Sequence, residues 1–415
     1  MSDSILVIGG GFSGITAAVE AAEMGYDVYL VEKESYLGGR VAQLNKYFPK
    51  ICPPTCGLEM NFRRIKTNPR ITFYTMADVE SVSGGPGDFN VSIKVRPRGT
   101  TPQCTNCKPG EAAATTEIPN EFNFGMNTRK AIYLPHPMAY PHQCVLDMQS
   151  VDTSEIETIK SAMPAGHVDP SQTEETVNLN VGAIIMATGW QPYDANKIDN
   201  LKFSEYENVI TNMMMERLAS PSGPTEGKIL RPSDNEEPKT VGFVQCAGSR
   251  DENHLGYCSY ICCMATLKQI TYLREQSPDI EAYVFYIDIR SPGRKYEKFY
   301  KKLKEDDKVH FIKGKVADIL PGSAPGSVKL VAEDTIGGGK KEQEVDMAVL
   351  ATGMQPTGAE TQIPGIEYDQ DGFVVPKDGI IPCGCAMRPI DVVSSAQSAT
   401  AAAFKAVQTL VRRAG

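Results

Sequence analysis

One tryptophan and five histidines (His136, His142, His167, His254 and His310) are all that 415 residues supply of these two types. No Ser/His/Asp constellation and no pair of carboxylates stands out, which argues against a hydrolase. Long apolar runs are missing too, and a membrane-spanning helix needs about 18 such residues in succession. Basic blocks are also absent: 42 Lys and Arg against 51 Asp and Glu leave a net charge of −9. Nucleic acid and anionic membrane surfaces are therefore not expected as direct partners. The chain enters an apolar run at Ser4 with no room for a signal peptide before it, so a cytoplasmic protein is expected. Its composition, 41% hydrophobic and 22% charged, is that of a soluble globular chain with enough length for two or three domains.

What is present is concentrated first at the start. Ser4-Ile5-Leu6-Val7-Ile8 is strand-like, Gly9, Gly11 and Gly14 form G-x-G-x-x-G, and Ile15 to Met24 reads as a helix. A second apolar run, Val28 to Val31, ends in Glu32, where a ribose-binding acid belongs. Gly9 serves the tight turn, Gly11 lets backbone approach a pyrophosphate, and Gly14 lets helix and strand pack closely. The helix N-terminus then offers free N–H groups and a favourable dipole to phosphate. The complete strand–helix–strand–acid unit predicts a dinucleotide site.

Glu32 is followed by Lys33 and, after a short gap, Gly38-Gly39-Arg40, the extension with which flavoproteins wrap an adenine dinucleotide. Two later segments nearly repeat. Val181 to Pro192 and Val345 to Pro356 each carry a buried-type strand running into Ala-Thr-Gly. The pair resembles the two crossings between domains in flavoproteins such as thioredoxin reductase. That resemblance implies an α/β fold of two Rossmann-like domains, the flavin domain being discontinuous, with FAD rather than NAD in the first site. It implies FAD-binding roles for Gly9, Gly11, Phe12, Ser13, Gly14, Glu32, Lys33, Gly39, Arg40, Val79, Ala187, Thr188, Gly189, Gly353, Gly384 and Cys385.

Eleven cysteines are too many to pass over, and in a reducing compartment they read first as metal ligands or redox groups. The densest set is Cys246, Cys258, Cys262 and Cys263, spaced C-x11-C-x3-C-C. Four such thiols suit one iron–sulfur cluster or one zinc, with iron–sulfur preferred because a flavin needs a one-electron outlet; the other reading is four buried small hydrophobes. His254, between them in sequence, is a further residue that could tune or ligate a cluster. Cys52 and Cys56, in Cys-Pro-Pro-Thr-Cys, read as a redox pair, a ligand pair or a proline-set kink. Cys383 and Cys385 read as buried packing beside FAD.

Gly39-Arg40-Val-Ala-Gln43-Leu44, the Leu218 to Pro232 segment and the Cys246 to Cys263 set together resemble the A-type subunit of heterodisulfide reductase, from Ile5 to the C-terminal helix. Within that family, the short length and the Cys52 to Gly57 stretch look most like the A-type subunit of the quinone-interacting membrane-bound oxidoreductase complex of sulfate reducers. The resemblance implies FAD and a [4Fe–4S] cluster on Cys246, Cys258, Cys262 and Cys263. It also implies an electron-transfer subunit linking the quinone pool to adenylylsulfate (APS) reductase. Its partners would be a second flavin/iron–sulfur subunit and a membrane haem/quinone subunit, through which the chain would be peripherally membrane-associated. The larger relatives carry an inserted C-x2-C-x2-C-x3-C-P segment and a C-terminal tandem ferredoxin. Here only Cys104 and Cys107 remain of the first, with Cys144 further on, so a vestigial surface loop is expected at about 98–130.

The second domain lacks a glycine fingerprint. After the strand Thr240 to Val244 the turn reads Gln245-Cys246-Ala247-Gly248, with one glycine where three are needed, so NAD(P)H is not an expected donor. The expected layout is 1–192 flavin domain, 193–238 connector, 239–352 second domain and 353–415 return to the flavin domain. Two other functions remain open: an NAD(P)H-dependent disulfide reductase using Cys52 and Cys56, and a non-catalytic scaffold with structural FAD.

Overall fold

The computed structural model describes residues 2–48, 50–335 and 337–411. In chain order its principal elements begin with β1 (Ile5–Ile8), α1 (Phe12–Glu23), β2 (Val28–Val31), α2 (Thr55–Thr67) and β3 (Ile71–Tyr74). Then come β4 (Ala183–Met186), β5 (Val209–Thr211), α3 (Asn212–Leu218), β6 (Thr240–Ala247), α4 (Cys262–Gln276) and β7 (Glu281–Tyr286). The last are α5 (Arg294–Lys304), β8 (Val309–Lys313), β9 (Met347–Thr352), β10 (Ile380–Pro382) and α6 (Val392–Val411).

Two five-stranded parallel sheets carry the molecule, ordered β10-β4-β1-β2-β3 and β5-β9-β6-β7-β8. Continuous apolar runs such as Ile5-Leu6-Val7-Ile8 suit strands buried on both faces, and all four residues are buried. One face of the first sheet is covered by α1 and α6. Their contact is made of alanines, Ala17, Ala18 and Ala21 opposite Ala399, Ala402 and Ala406, small enough for close helix approach. An antiparallel three-stranded meander, Ala77–Gly85, Asp88–Val95 and Glu175–Val181, covers the other face. The second sheet is flanked by α4 and by a similar meander over Val316–Pro321, Val328–Glu333 and Lys340–Val345. The Ala-Thr-Gly crossings lie side by side: Trp190–Pro192 pairs antiparallel with Met354–Pro356. Among the described residues no helix is long and apolar enough to cross a membrane.

Two expectations about layout need correction. The stretch 193–238 is more than a connector, because β5 pairs with β9 at the edge of the second sheet and α3 packs beside it. Thr211 ends β5 and starts α3, its hydroxyl accepting from the Met214 N–H at 3.3 Å. Three strand residues leave no periodicity to read. The insertion is likewise no surface loop: it runs from Arg98 to about Gln172 and has its own core of Cys104, Ile132, Leu146, Ile159 and Val168. Its strands are only two or three residues long, too short for an alternating pattern to show. Arg98 pins it to the flavin domain by donating to the Ser35 carbonyl (2.6 Å) and the Thr75 hydroxyl (2.9 Å).

Within the insertion Cys107 and Cys144 form a disulfide, whereas the cysteines read first as metal ligands or redox groups. The local fold brings them together: the Cys144 N–H donates to the Cys104 carbonyl at 2.8 Å, and Cys104 is fully buried beside the bridge. Closing a loop of 37 residues' separation removes denatured-state entropy. Cys144→Ser is expected to cost about 2–4 kcal/mol in denaturation under non-reducing conditions while leaving flavin content unchanged. Stability equal to the wild type would mean the bridge contributes nothing in solution.

Candidate functional site

The glycine fingerprint sits at the carboxyl ends of β1 and β4, and its three glycines are held by different constraints. Gly9 has φ +105°, and a Cβ there would lie 2.3 Å from the Ala187 carbonyl oxygen. A Cβ on Gly14 would lie 1.8 Å from the Gly9 carbonyl oxygen, so helix and strand meet only because it is absent. Gly11 has an ordinary φ of −72°, and a Cβ there would meet nothing nearer than Gly39 Cα at 3.8 Å. The chain itself demands Gly9 and Gly14; space for a ligand is what Gly11 provides. No side chain caps α1, so its first-turn N–H groups remain available to an anion.

Glu32 closes the unit from the end of β2. Its carboxylate accepts from the Gly10 N–H at 2.6 Å and the Glu34 N–H at 2.9 Å, and only 6% of the residue is exposed. Burial outweighs these hydrogen bonds and pushes its pKa up to about 7.

These residues line a cavity of about 340 Å³. Of the residues expected to bind FAD, Gly9, Gly11, Phe12, Ser13, Glu32, Lys33, Gly39, Arg40, Val79, Ala187, Thr188, Gly189 and Cys385 are in its wall. Gly14 lies beneath, at the helix–strand contact. Gly384, with φ +60°, backs Ser13, because a Cβ there would approach the Ser13 hydroxyl to 2.2 Å. Gly353 is outside the cavity, packed among Ser249, Leu255 and Ser259, where a Cβ would come within 2.4 to 2.9 Å of them. It belongs to the interdomain crossing.

The far end of the cavity is supplied by the second domain and was missed in the sequence. Asn212, Glu216, Ile261, Met264, Lys268 and Gln269 form it. Lys268 and Glu216 make a buried ion pair at 3.0 Å, and Lys268 also donates to the Lys46 carbonyl at 2.5 Å. Glu216 accepts further from Gln269 (2.7 Å), the Asn45 N–H (3.0 Å) and the Tyr272 hydroxyl (3.2 Å). Burial lowers the Lys268 pKa, and Glu216 opposes that shift. Gln269 Oε1 is buried with no partner among the described residues, an orphaned acceptor in the wall of the cavity. The one available signal was a Lys-Gln pair set between Leu267 and Ile270 in a buried helix. A glycine cradle, free helix N–H groups, a buried acid at one end and an orphaned acceptor at the other fit a dinucleotide with a ring system.

Cys246, Cys258, Cys262 and Cys263 gather around the start of α4. Cys246, the last residue but one of β6, has φ +57°, Cys258 is partly exposed in the following loop, and Cys262 and Cys263 open the helix. All four are free thiols, and they lie within electrostatic reach of one another. Burial first, and then the neighbouring thiols, push Cys262 well up; burial pushes Cys263 up to about 11. Cys262 points its thiol at the Thr352 carbonyl (3.9 Å) and Cys263 at the Asp288 carbonyl (3.7 Å). Among the described residues no three His, Cys, Asp or Glu side chains are placed to hold a single metal ion. A cubane takes its thiolates on separate corners, so its ligands stand wider apart than those of one zinc. Four free thiols gathered around one helix start are a donor set that an iron–sulfur cluster takes.

The other singled-out residues fall elsewhere. His254 Nδ1 is 3.0 Å from the Tyr193 hydroxyl, so it serves the packing between crossing and second domain. Gly248 is explained by the same tyrosine, because a Cβ there would sit 2.5 Å from its ring. Residues 248–261 separate β6 from α4, in place of a tight glycine turn. Cys52 and Cys56 are unbonded at the start of α2, outside the cavity wall, although Tyr47 beside them lines it. Cys383 is fully buried in the flavin-domain core, and Cys385 directs its thiol to the Ile390 carbonyl at 3.6 Å. His136 is buried and stacked on Phe122, ring centroids 4.6 Å apart, and burial drives its pKa down to about 4.

Fold and site are those of an FAD-dependent oxidoreductase, and residues 4–48 match the family model described as FAD dependent oxidoreductase. The whole chain superposes on thioredoxin reductases of T. acidophilum (TM-score 0.55, 12% identity, 98% of each chain) and Lactococcus lactis (TM-score 0.54, 11% identity, 99% and 100%). At that identity the likeness is one of fold. In sequence it is 37% identical over 99% of its length to the second of two A-type iron-sulfur subunits of CoB--CoM heterodisulfide reductase in Methanopyrus kandleri, covering 65% of that protein. It is 38% identical over 96% of its length to the A-type iron-sulfur subunit of the same enzyme in Methanocaldococcus jannaschii. It is 36% identical over 99% to the A-type subunit of the H(2):CoB-CoM heterodisulfide,ferredoxin reductase of Methanothermobacter marburgensis. It covers 63% and 64% of these two, so the chain spans a little under two thirds of the length of these relatives. Its relatives along nearly the full chain are thus the A-type subunits of heterodisulfide reductases.

Two outcomes follow from the cradle. Gly11→Val is expected to fold with wild-type thermal stability but to purify without flavin, whereas Gly14→Ala is expected to lose about 1–3 kcal/mol of stability or more by overpacking. Equal flavin content in wild type and Gly11→Val would remove the pyrophosphate assignment. Glu32 gives a pH signature. Its folded pKa of about 7 lies above the ordinary carboxylate value of 4.5, so the folded state holds the proton more tightly. The stability it contributes is complete below 4.5 and is lost as pH rises through 7. Flavin-free protein is expected to lose roughly 3 kcal/mol over that window, and Glu32→Gln to lack the loss. Parallel denaturation curves at pH 5 and pH 8 for both proteins check it.

Proposed function

We propose that this chain is the electron-transfer flavoprotein subunit of a multi-subunit oxidoreductase. In this reading FAD is held in the cavity and a [4Fe–4S] cluster on Cys246, Cys258, Cys262 and Cys263. The observation that carries it is the shared first turn of α4. Tyr260, Ile261 and Met264 face the cavity, and Cys262 and Cys263 are set between them. When bound, the flavin supplies two-electron chemistry and the cluster one-electron chemistry. The chain's own work is binding and tuning. Glu32 takes the ribose hydroxyls, the N-terminus of α1 takes the pyrophosphate, and Gln269 offers a carbonyl oxygen to a ring N–H. Lys268 lies at the cavity wall in its ion pair with Glu216 at 3.0 Å, which opposes the lowering of its pKa by burial.

The names of the relatives, in which the words iron-sulfur and ferredoxin reductase occur, support placing the chain within such an assembly. The finer reading rests on the motif resemblance. The assembly would join a membrane quinone pool to APS reductase, with the membrane-embedded haem/quinone part and a second flavin/iron–sulfur part on other subunits. Cys52 and Cys56 are free thiols that do not themselves line the cavity, which gives the disulfide-reductase reading no direct support.

Anaerobically purified protein is expected to contain one FAD and about four iron and four sulfide. Each of Cys246→Ser, Cys258→Ser, Cys262→Ser and Cys263→Ser is expected to remove or destabilise the iron signal while keeping the flavin. NADH or NADPH should leave the oxidised flavin spectrum unchanged, because the second domain has no glycine turn for a pyrophosphate. Rapid bleaching by NADH would restore the disulfide-reductase reading.

A further inference from the structure

Helix α5 carries the most concentrated charge of the described molecule. Lys295, Lys298, Lys301, Lys302 and Lys304 are all exposed, while Tyr296, Phe299, Tyr300 and Leu303 turn inward against the second-domain core. Lys295, Lys298 and Lys302 follow the i, i+3, i+7 spacing of one helix face, and the other two flank it. None of the five makes an ion pair with another described residue, although lysines elsewhere on the surface do, as in Lys94–Glu174, Lys315–Asp251 and Lys377–Glu367. Like charges three and four residues apart destabilise a helix. A chain of net charge −9 thus keeps an exposed lysine face whose five ammonium groups have no ion-pair partner among the described residues.

The position of the helix gives that charge a use. The segment leading into α5 contains Asp288, whose carbonyl accepts from the Cys263 thiol at 3.7 Å and whose carboxylate holds Arg250 at 2.6 Å. Tyr300, on the inner face of α5, lies within electrostatic reach of Cys263. The lysine face is therefore the solvent side of the element that packs beside the cysteine site.

We propose that α5 is the docking face for a small acidic one-electron carrier protein, which exchanges electrons with the site built on Cys246, Cys258, Cys262 and Cys263. The inference rests on the electron-transfer reading above. Eleven helical residues extend about 16 Å, the scale of a small protein's contact patch. The outer face presents no aromatic or aliphatic side chain for bases or acyl chains, since those of α5 are turned inward. One electron passes from the reduced carrier to the oxidised site, and no bond forms or breaks. Charge complementarity raises the encounter rate and falls with ionic strength.

The test uses the anaerobic holoprotein, reduced [2Fe–2S] plant-type ferredoxin as the acidic probe, and dithionite as a small reductant that needs no docking. The wild-type rate with ferredoxin is expected to fall about tenfold or more when salt rises from about 50 to 500 mM. The triple variant Lys298→Glu, Lys301→Glu, Lys302→Glu is expected to lose about as much at low salt, with the milder Lys→Gln triple variant in between. Its reduction by dithionite and its circular dichroism should match the wild type. If dithionite reduces the protein while the ferredoxin rate is absent, or indifferent to both salt and substitution, the docking face is wrong and the electron-transfer reading stands. If neither reductant reduces any cofactor, both fall together. Lysine-dependent binding to phosphatidylglycerol vesicles with no effect on the ferredoxin rate also overturns the proposal.

Discussion

Three residues on each side of the domain crossing, Trp190–Pro192 and Met354–Pro356, pair as an antiparallel ribbon, and the site depends on that pairing. Thr357 donates its hydroxyl to the Thr188 carbonyl at 2.8 Å, and the Tyr193 N–H donates to the Gly353 carbonyl at 2.8 Å, so each crossing is fixed to the other. The same ribbon fixes the cysteine loop. The Ser259 hydroxyl accepts from the Met354 N–H at 2.8 Å, and the Tyr257 hydroxyl donates to the Met354 carbonyl at 3.0 Å. Both restraints hold the start of α4 against the far end of the cavity, where Ile261 and Met264 line it. The constraint is short in sequence and long in reach.

One wall of the cavity is backed by a buried polar network. Lys268, Glu216, Gln269 and Tyr272 are all buried, and an ion pair removed from water repays its desolvation only with good geometry and additional hydrogen bonds. Here the extra bonds are present, from the Lys46 carbonyl and the Asn45 N–H on the flavin-domain side. The pair is therefore completed by two backbone groups of the opposite domain. Its geometry and the relative placement of the domains support one another, which makes this network a local reporter of how the two halves sit.

The parts legible in sequence were those that local sterics dictate. Gly9 and Gly14 are required by contacts within a dozen residues or by the facing Ala187, and Glu32 ends a strand whose apolar pattern announces it. The two Ala-Thr-Gly strands were legible because they nearly repeat. What escaped has a common cause. β5 is three residues long, the insertion's strands are two or three, and elements this short carry no period. Glu216 and Lys268 were silent because they are brought together from separate elements by the ribbon, across a distance that no local window spans. Gly353 looked like a cofactor residue by analogy with Gly189, yet it packs on Ser249 and Ser259, and the second repeat reaches the cavity through Met354 instead.

The insertion enters and leaves the flavin domain at one point. Gln172 Oε1 accepts from the Arg98 and Gly99 N–H groups, each at 3.0 Å, so its two ends are stitched together by one side chain. Just outside that stitch, Val95 and Glu175 are already opposite each other in the antiparallel ladder. The parent meander is thus a continuous hairpin into whose tip a separate folding unit has been spliced. Such a unit can be exchanged, enlarged or removed without shifting the register of any strand beneath the cofactor cavity. Modularity of this kind lets one oxidoreductase body carry different attachments.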